Sequence, residues 1–182
     1  YHLLSQSSGE RNSPLSVVLL SGMDIVAAPY SDPTRDNYFS SRLSYVFQGM
    51  MARKFSESFS FQLTPTLVHK NLVEEAIDPN DIFSMGFGTR LKLTRRVSLN
   101  AEYFYTVRPT VEGEDKLPNS FSIGFDIETG GHVFQLFFTN SMLTYERGFI
   151  TETTGSWKDG DIRFGFNISR VFSLTSHSQK SW

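Results

Sequence analysis

Apolar and polar residues alternate along most of this chain. Between residues 160 and 172, apolar side chains fall at positions 162, 164, 166, 168 and 172, and most positions between them hold a polar residue or glycine. This two-residue period is typical of a β-strand with one apolar and one polar face. A tilted strand needs roughly 9–11 residues to cross a membrane, so this segment is long enough to do so.

The same alternation recurs upstream and predicts an all-β fold. The predicted strands span residues 15–27, 38–52, 58–70, 81–93, 97–108, 121–128, 132–142 and 160–172, with residues 1–6 as the end of another. Pro65 interrupts one of these segments, and we expect a local β-bulge there because proline donates no backbone hydrogen bond. The sequence therefore predicts about nine antiparallel strands.

The connections between these strands alternate in length. Short connections at 53–57, 94–96 and 129–131 alternate with longer ones at 28–37, 71–80, 109–118 and 145–159. Short periplasmic turns and longer extracellular loops are typical of outer-membrane barrels. The pattern predicts an antiparallel up-and-down transmembrane β-barrel with its four long loops on one side.

A soluble, lipocalin-like barrel is the alternative that periodicity leaves open. Such a barrel places its apolar face inside, and its strands show the same alternation. A soluble barrel or sandwich has no reason to keep all its long loops at one end. The asymmetry of the loops therefore favours a membrane barrel.

Composition fits this interpretation. Of 182 residues 39% are hydrophobic and the mean hydropathy is -0.25, values that by themselves would suggest a soluble protein. Alternation hides the lipid-facing surface of a barrel from such averages. No apolar run reaches the roughly 18 residues that predict a transmembrane helix.

Charge and cysteine content exclude other classes. The formal net charge is -2 and the basic residues are scattered, so we expect no nucleic-acid partner. The chain has 0 cysteines, which excludes disulfides and thiolate metal sites. We expect no cofactor and no bound metal.

Three segments carry a resemblance to a known family: GGHVFQL at 130–136, GFITETTGSW at 148–157 and GFNISRVF at 165–172. They resemble the C-terminal part of the Bacteroidota outer-membrane β-barrel family named domain of unknown function 5777, and YHLLSQSSG at 1–9 resembles a strand from the middle of that family. The resemblance implies a barrel in the bacterial outer membrane and implies no established activity. It divides the chain into a barrel at 1–172 and a polar C-terminal tail at 173–182.

The number of strands predicts that the barrel is incomplete. A barrel that begins and ends in the periplasm needs an even number of strands. About nine strands that end in the periplasm place Tyr1 on the outside, so we expect at least one further strand before it.

The polar parity of the strands predicts which charged residues face the lumen. These are Arg42, Arg90, Lys92, Glu102, Arg108, Asp126, Glu128 and Arg163. A charged residue facing lipid at mid-bilayer would cost about 2–4 kcal/mol for Arg or Lys, which supports this placement. Because cations outnumber anions in this set, one interpretation is a weakly anion-preferring channel. The other is a narrow barrel plugged by ion pairs.

The predicted function is that of a small-solute channel or a plugged outer-membrane barrel, with membrane lipids as partners. The alternative is a scaffold or subunit of an envelope complex that binds another envelope protein. A lipid-modifying enzyme is disfavoured, because no serine is marked by a histidine partner as a nucleophile. An acidic loop with Glu74, Glu75, Asp78 and Asp81 could bind a cation or remain solvated.

Overall fold

The computed structural model describes residues 1–7, 12–29, 38–73, 78–108 and 117–170. Within these ranges nine antiparallel strands form one sheet in sequence order. They are β1 (His2–Leu4), β2 (Ser16–Ile25), β3 (Leu43–Lys54), β4 (Phe59–Lys70), β5 (Asp81–Lys92), β6 (Val97–Val107), β7 (Ser120–Thr129), β8 (His132–Thr139) and β9 (Arg163–Arg170). The antiparallel meander predicted from the alternation is confirmed.

Connections alternate between the two ends of the sheet, because each strand pairs antiparallel with the next. The β3–β4, β5–β6 and β7–β8 connections are short and share one end, the short-turn end. The β2–β3, β4–β5, β6–β7 and β8–β9 connections share the other, the long-loop end.

Serine, threonine and glycine form the short turns. Ser56 Oγ accepts hydrogen bonds from the backbone N–H groups of Ser58 and Phe59 at 3.2 and 3.0 Å. Thr94 Oγ1 accepts two in the same way in the β5–β6 turn, which is the local bonding that favours turns over strands. The β7–β8 hairpin needs two residues with positive φ, and Gly130 and Gly131 supply them at +43° and +125°.

The predicted bulge at Pro65 is wrong. Pairing between β3 and β4 keeps one register on both sides of this residue, from Ser44 opposite Lys70 to Lys54 opposite Ser60. Only the pairs around Pro65 are missing from that ladder. Gly49 lies beside the proline ring, where an added Cβ would stand 3.8 Å from Pro65 Cγ. The proline therefore fits without an extra residue.

Three strand boundaries differ from the prediction. β3 begins at Leu43 because Phe39–Arg42 forms a 3₁₀-helix. β8 ends at Thr139. Beyond it, the backbone N–H of Phe121 in β7 donates its 2.8 Å hydrogen bond to the side-chain oxygen of Asn140 and not to a backbone carbonyl of β8. β9 is described from Arg163 to Arg170, and the predicted tail at 173–182 lies outside the described residues.

The two faces of the sheet have opposite character. Side chains of the apolar parity are exposed: Phe83 and Phe164, for example, are 60% and 62% exposed. We call this the outer face. The opposite parity is mostly polar and includes the buried side chains of Thr66 and Ser84, which are only 4% and 5% exposed. A soluble barrel would show the reverse arrangement, so the exposed apolar face fits lipid.

A helix, α1 (Glu146–Thr151), lies on the polar parity, which we call the inner face. It contacts both β3 and β6. Three strand spacings, about 14 Å on a flat sheet, separate these strands. The sheet therefore curves around the helix, although it does not close: within the described residues β1 pairs only with β2, and β9 only with β8.

Candidate functional site

The β8–β9 connection folds back onto the inner face. Ile150 of α1 has no exposed surface, because it packs in one cluster with Val46, Val68 and Phe104. Phe149 adds an edge-to-face contact with Phe104 at 5.2 Å between ring centroids. A loop that the spacing predicted to lie outside the barrel thus contributes an apolar residue that is as deeply buried as Val68 of β4.

Hydrogen bonds hold the backbone of this connection against β6. The carbonyl of Ile150 accepts a 2.9 Å hydrogen bond from Thr106 Oγ1 and a 3.2 Å bond from Arg108 Nη2. Thr151 and Thr153 donate to carbonyls four residues earlier, at 2.8 and 2.7 Å. These bonds satisfy the buried hydroxyls of Thr151 and Thr153, whereas Arg147 Nε of α1 is buried without a hydrogen-bond partner among the described residues.

Glu152 connects the helix to β4 through a charge cluster. Its Oε1 lies 2.8 Å from Lys70 Nζ and 3.5 Å from Arg147 Nη2, and Arg147 also donates to Ser44 Oγ of β3 at 3.3 Å. Lys70, Arg147 and Glu152 are 15%, 14% and 32% exposed, so water screens these pairs less than pairs on an open surface.

The environment of Arg147 keeps it charged. Burial disfavours the charged guanidinium, but the hydrogen bond to Tyr145 and the carboxylate of Glu152 outweigh burial and raise the pKa of Arg147. At Arg108, burial alone lowers the pKa. Both guanidinium groups remain protonated at neutral pH because the ordinary arginine value is so high.

The second half of the connection is fixed at β7 and β8. Asn140 donates to the carbonyls of Asn119 and Gly155 at 2.9 and 2.8 Å. The Trp157 indole donates to the carbonyl of Phe121 at 3.0 Å and packs edge-on against its ring. The connection is therefore held at both ends as well as at α1.

Three of the predicted lumen cations contact backbone carbonyls at the long-loop end. Arg42 Nη1 donates to Val26 and Ala28 at 2.6 Å each, Arg108 holds Ile150 as described, and Arg163 Nη1 donates to Asn140 at 3.0 Å. Arg42 lies in the 3₁₀-helix before β3 rather than on a strand. These guanidinium groups order the connections, a use that strand parity did not reveal.

A separate charged group lies at the short-turn end. Arg90 Nη2 is 2.8 Å from Glu128 Oε1 and 4.0 Å from Asp126 Oδ2. Asp126 also accepts a 3.1 Å hydrogen bond from Gln135. Lys92, the other predicted cation here, lies opposite Ser98 at the end of β5.

Glu102 lies apart from both groups. The ladder places it between Gly88 of β5 and Ser122 of β7, so small residues stand on both sides. Within the described part of the chain its carboxylate has no hydrogen bond or ion pair. The structure thus divides the eight predicted residues into separate sets, and their role in a lumen stays a prediction.

A cavity of about 790 Å³ lies on the inner face beneath the connection. Polar and apolar residues both line it. The charged residues that line it are Arg90, Glu102 and Asp126. Apolar side chains of Phe137 and Phe149 complete its wall on the side of β8 and α1.

The sequence analysis missed Arg147, Ile150, Glu152 and Trp157. All four lie in a connection without strand periodicity, where the apolar and aromatic residues Phe149, Ile150 and Trp157 were the available signal. Loops that lie in solvent seldom contain several apolar and aromatic residues, because these side chains have no hydrophobic core to pack against there.

No metal site is formed by the described residues. Asp81, one of the four acidic residues that could bind a cation or remain solvated, pairs with His69 Nδ1 at 2.7 Å. Glu74 and Glu75 lie outside the described ranges. Among the helices of those ranges, none has the length and apolar content needed to cross a bilayer.

Comparison with known proteins gives one match. The model of a family described as a membrane bound beta barrel domain (DUF5777) matches residues 1–172. Searches of curated proteins and of solved structures find no match.

Proposed function

Because this chain belongs to the family of membrane bound beta barrel domains (DUF5777), we propose that it is an outer-membrane barrel closed by its own β8–β9 connection. Small solutes pass only when that connection leaves the inner face. The observation that carries this proposal is the complete burial of Ile150 against β3, β4 and β6.

The orientation follows from the lengths of the connections. The short-turn end faces the periplasm and the long-loop end faces the exterior, as in other barrels of the outer membrane. The connection then blocks the lumen near its extracellular end, and the cavity beneath it opens toward the periplasm. The outer face contacts membrane lipids, in the envelope of a bacterium of the Bacteroidota. The proposal includes no catalytic step and no nucleic acid.

Glu152 offers a test, because it joins the connection to the barrel wall. In planar bilayers the natural protein should show little current. Glu152→Gln removes the carboxylate that faces Lys70 and Arg147, and should increase the frequency of open-channel events. The matched control is Glu57→Gln, which removes a carboxylate 2.9 Å from Lys54 in an exposed turn and should change nothing.

A scaffold role is the second candidate, and the number of contacts on the connection favours it. Hydrophobic packing, backbone hydrogen bonds and ion pairs hold the segment together. Such a segment could remain in place permanently while the barrel binds an envelope partner. Absence of current from both the natural protein and Glu152→Gln, with a co-purifying envelope protein, would support the scaffold and contradict the channel.

A further inference from the structure

The cavity beneath the connection contains a carboxylate, that of Glu102, which has no partner among the residues that the structure describes. Glu102 lies in the middle of the inner face, and the row across it runs from Gln62 through Gly88 to Glu102 and then Ser122. Because Gly88 and Ser122 are small, neither fills the space beside the carboxylate. A molecule can therefore reach it from the cavity.

The arginine in the cavity wall does not neutralise Glu102. Arg90 extends to Glu128 at 2.8 Å and approaches Asp126 at 4.0 Å, so its charge is already matched by two carboxylates. The other predicted cations nearby, Arg108 and Arg163, hold carbonyls at the long-loop end.

This distribution of charge favours cations, whereas the count of predicted lumen residues favoured anions. Five predicted cations face three predicted anions in the sequence, but the charged residues that line the cavity are one arginine and two acids. Glu102 is exposed toward this cavity, and a carboxylate that has no partner among the described residues attracts a cation.

The rest of the lining defines the kind of cation. Amide side chains of Gln62, Asn100 and Gln135 offer hydrogen bonds, while the rings of Phe137 and Phe149 offer an apolar wall. Of the two carboxylates in the lining, Asp126 already has Arg90 and Gln135 as partners, so a bare metal ion would find one carboxylate without a partner among the described residues, together with neutral amide oxygens. An ammonium group on an apolar body matches both parts of the wall.

We propose that this cavity binds a small organic ammonium ion, with Glu102 as its counter-charge and Phe137 and Phe149 against its apolar part. This inference rests on the proposed function, since it names the solute class that the plugged barrel holds. Solute enters from the short-turn end while the connection stays in place. Binding therefore does not require an open channel.

Calorimetric titration of the natural protein in detergent micelles tests this, with benzylammonium as the probe. Benzyl alcohol and benzoate have the same ring without the positive charge. We expect saturable binding of benzylammonium and binding at least about tenfold weaker for the other two. Glu102→Gln should weaken benzylammonium binding at least about tenfold, whereas Glu102→Asp should retain it because the charge remains.

Glu57→Gln is the matched control, because it removes one carboxylate from an exposed turn away from the cavity and should leave binding unchanged. Equal binding of the three probes, or equal binding by the natural protein and Glu102→Gln, would overturn the proposal. Absence of saturable binding to the natural protein would overturn it too. Each result is independent of the current measured in bilayers, so failure of this inference can be distinguished from failure of the channel.

Discussion

Lys70 and Glu152 lie 82 positions apart in the chain, yet Lys70 Nζ and Glu152 Oε1 are separated by 2.8 Å. The contact joins the end of β4 to the residue directly after α1. A connection between neighbouring strands has thus crossed the inner face to reach a strand at the middle of the sheet. Only a segment folded into the curve of the sheet can make this contact.

Gly165 should be required for packing of the inner face. It lies opposite Phe137, and a Cβ at this position would overlap the phenylalanine ring. Gly165→Ala should lower the free energy of unfolding in lipid vesicles by about 1–3 kcal/mol, since extra volume strains a packed site. Urea unfolding measures the change.

Two further variants separate this contact from a general effect of alanine. Gly22→Ala in β2 meets nothing within 4 Å and should change the free energy of unfolding by less than about 0.5 kcal/mol. In a Phe137→Leu background the cost of Gly165→Ala should fall, because the ring is gone. An unchanged cost in that background would show that the ring is not the cause.

The strands themselves could be predicted from sequence, because a half-buried strand imposes a two-residue period on its own side chains. β5 illustrates this: Phe83, Met85 and Phe87 alternate with Ser84 and Gly86, and the predicted start at Asp81 is observed. The inward fold of the β8–β9 connection could not be predicted in this way. Its burial depends on contacts with β3, β4 and β6, and no local period records contacts between distant residues.

The contacts of the charged residues could not be predicted from sequence either. Parity indicates the face to which a side chain belongs but not the atom that it contacts. Arg90 and Arg108 share a parity, and one pairs with a carboxylate while the other holds the carbonyl of Ile150. Similarly, the sequence around Pro65 does not indicate that Gly49 of the neighbouring strand lies beside the proline ring, where no bulge is needed.

Arginine substitutions on the outer face should show a dependence on depth. Met85 lies within β5, while Val107 ends β6 at the long-loop end. Met85→Arg should lower the free energy of unfolding in vesicles by about 2–4 kcal/mol, and Val107→Arg by about 0–1 kcal/mol, because lipid excludes charge most strongly at mid-bilayer. Equal costs at the two positions would argue against a membrane-spanning sheet.

Arg90 should set the ion preference once the connection is displaced. Arg90→Gln in the Glu152→Gln background leaves Asp126 and Glu128 without their cation. One unit charge at about 4–8 Å in water is worth about 0.5–1 kcal/mol for each ion and acts on K⁺ and Cl⁻ with opposite sign, so the preference for K⁺ over Cl⁻ should rise about five- to thirtyfold. The reversal potential in a salt gradient reports this preference.

Arg95→Gln serves as the control for that measurement, because Arg95 is exposed in the β5–β6 turn. It should leave the reversal potential unchanged in the same background. If the Glu152→Gln protein prefers Cl⁻ before either arginine is changed, the anion preference suggested by the count of predicted lumen residues would be supported.

Thiol labelling tests the central claim, that the β8–β9 connection closes the barrel from within. The chain has 0 cysteines, so one introduced at a time is unique. Ile150 has no exposed surface, whereas Met142 in the same connection is 70% exposed. In reconstituted vesicles, Ile150→Cys should react with a water-soluble maleimide at least about tenfold more slowly than Met142→Cys, because labelling requires local opening. Equal rates at the two positions would show that the connection does not occupy the inner face, and would contradict the account.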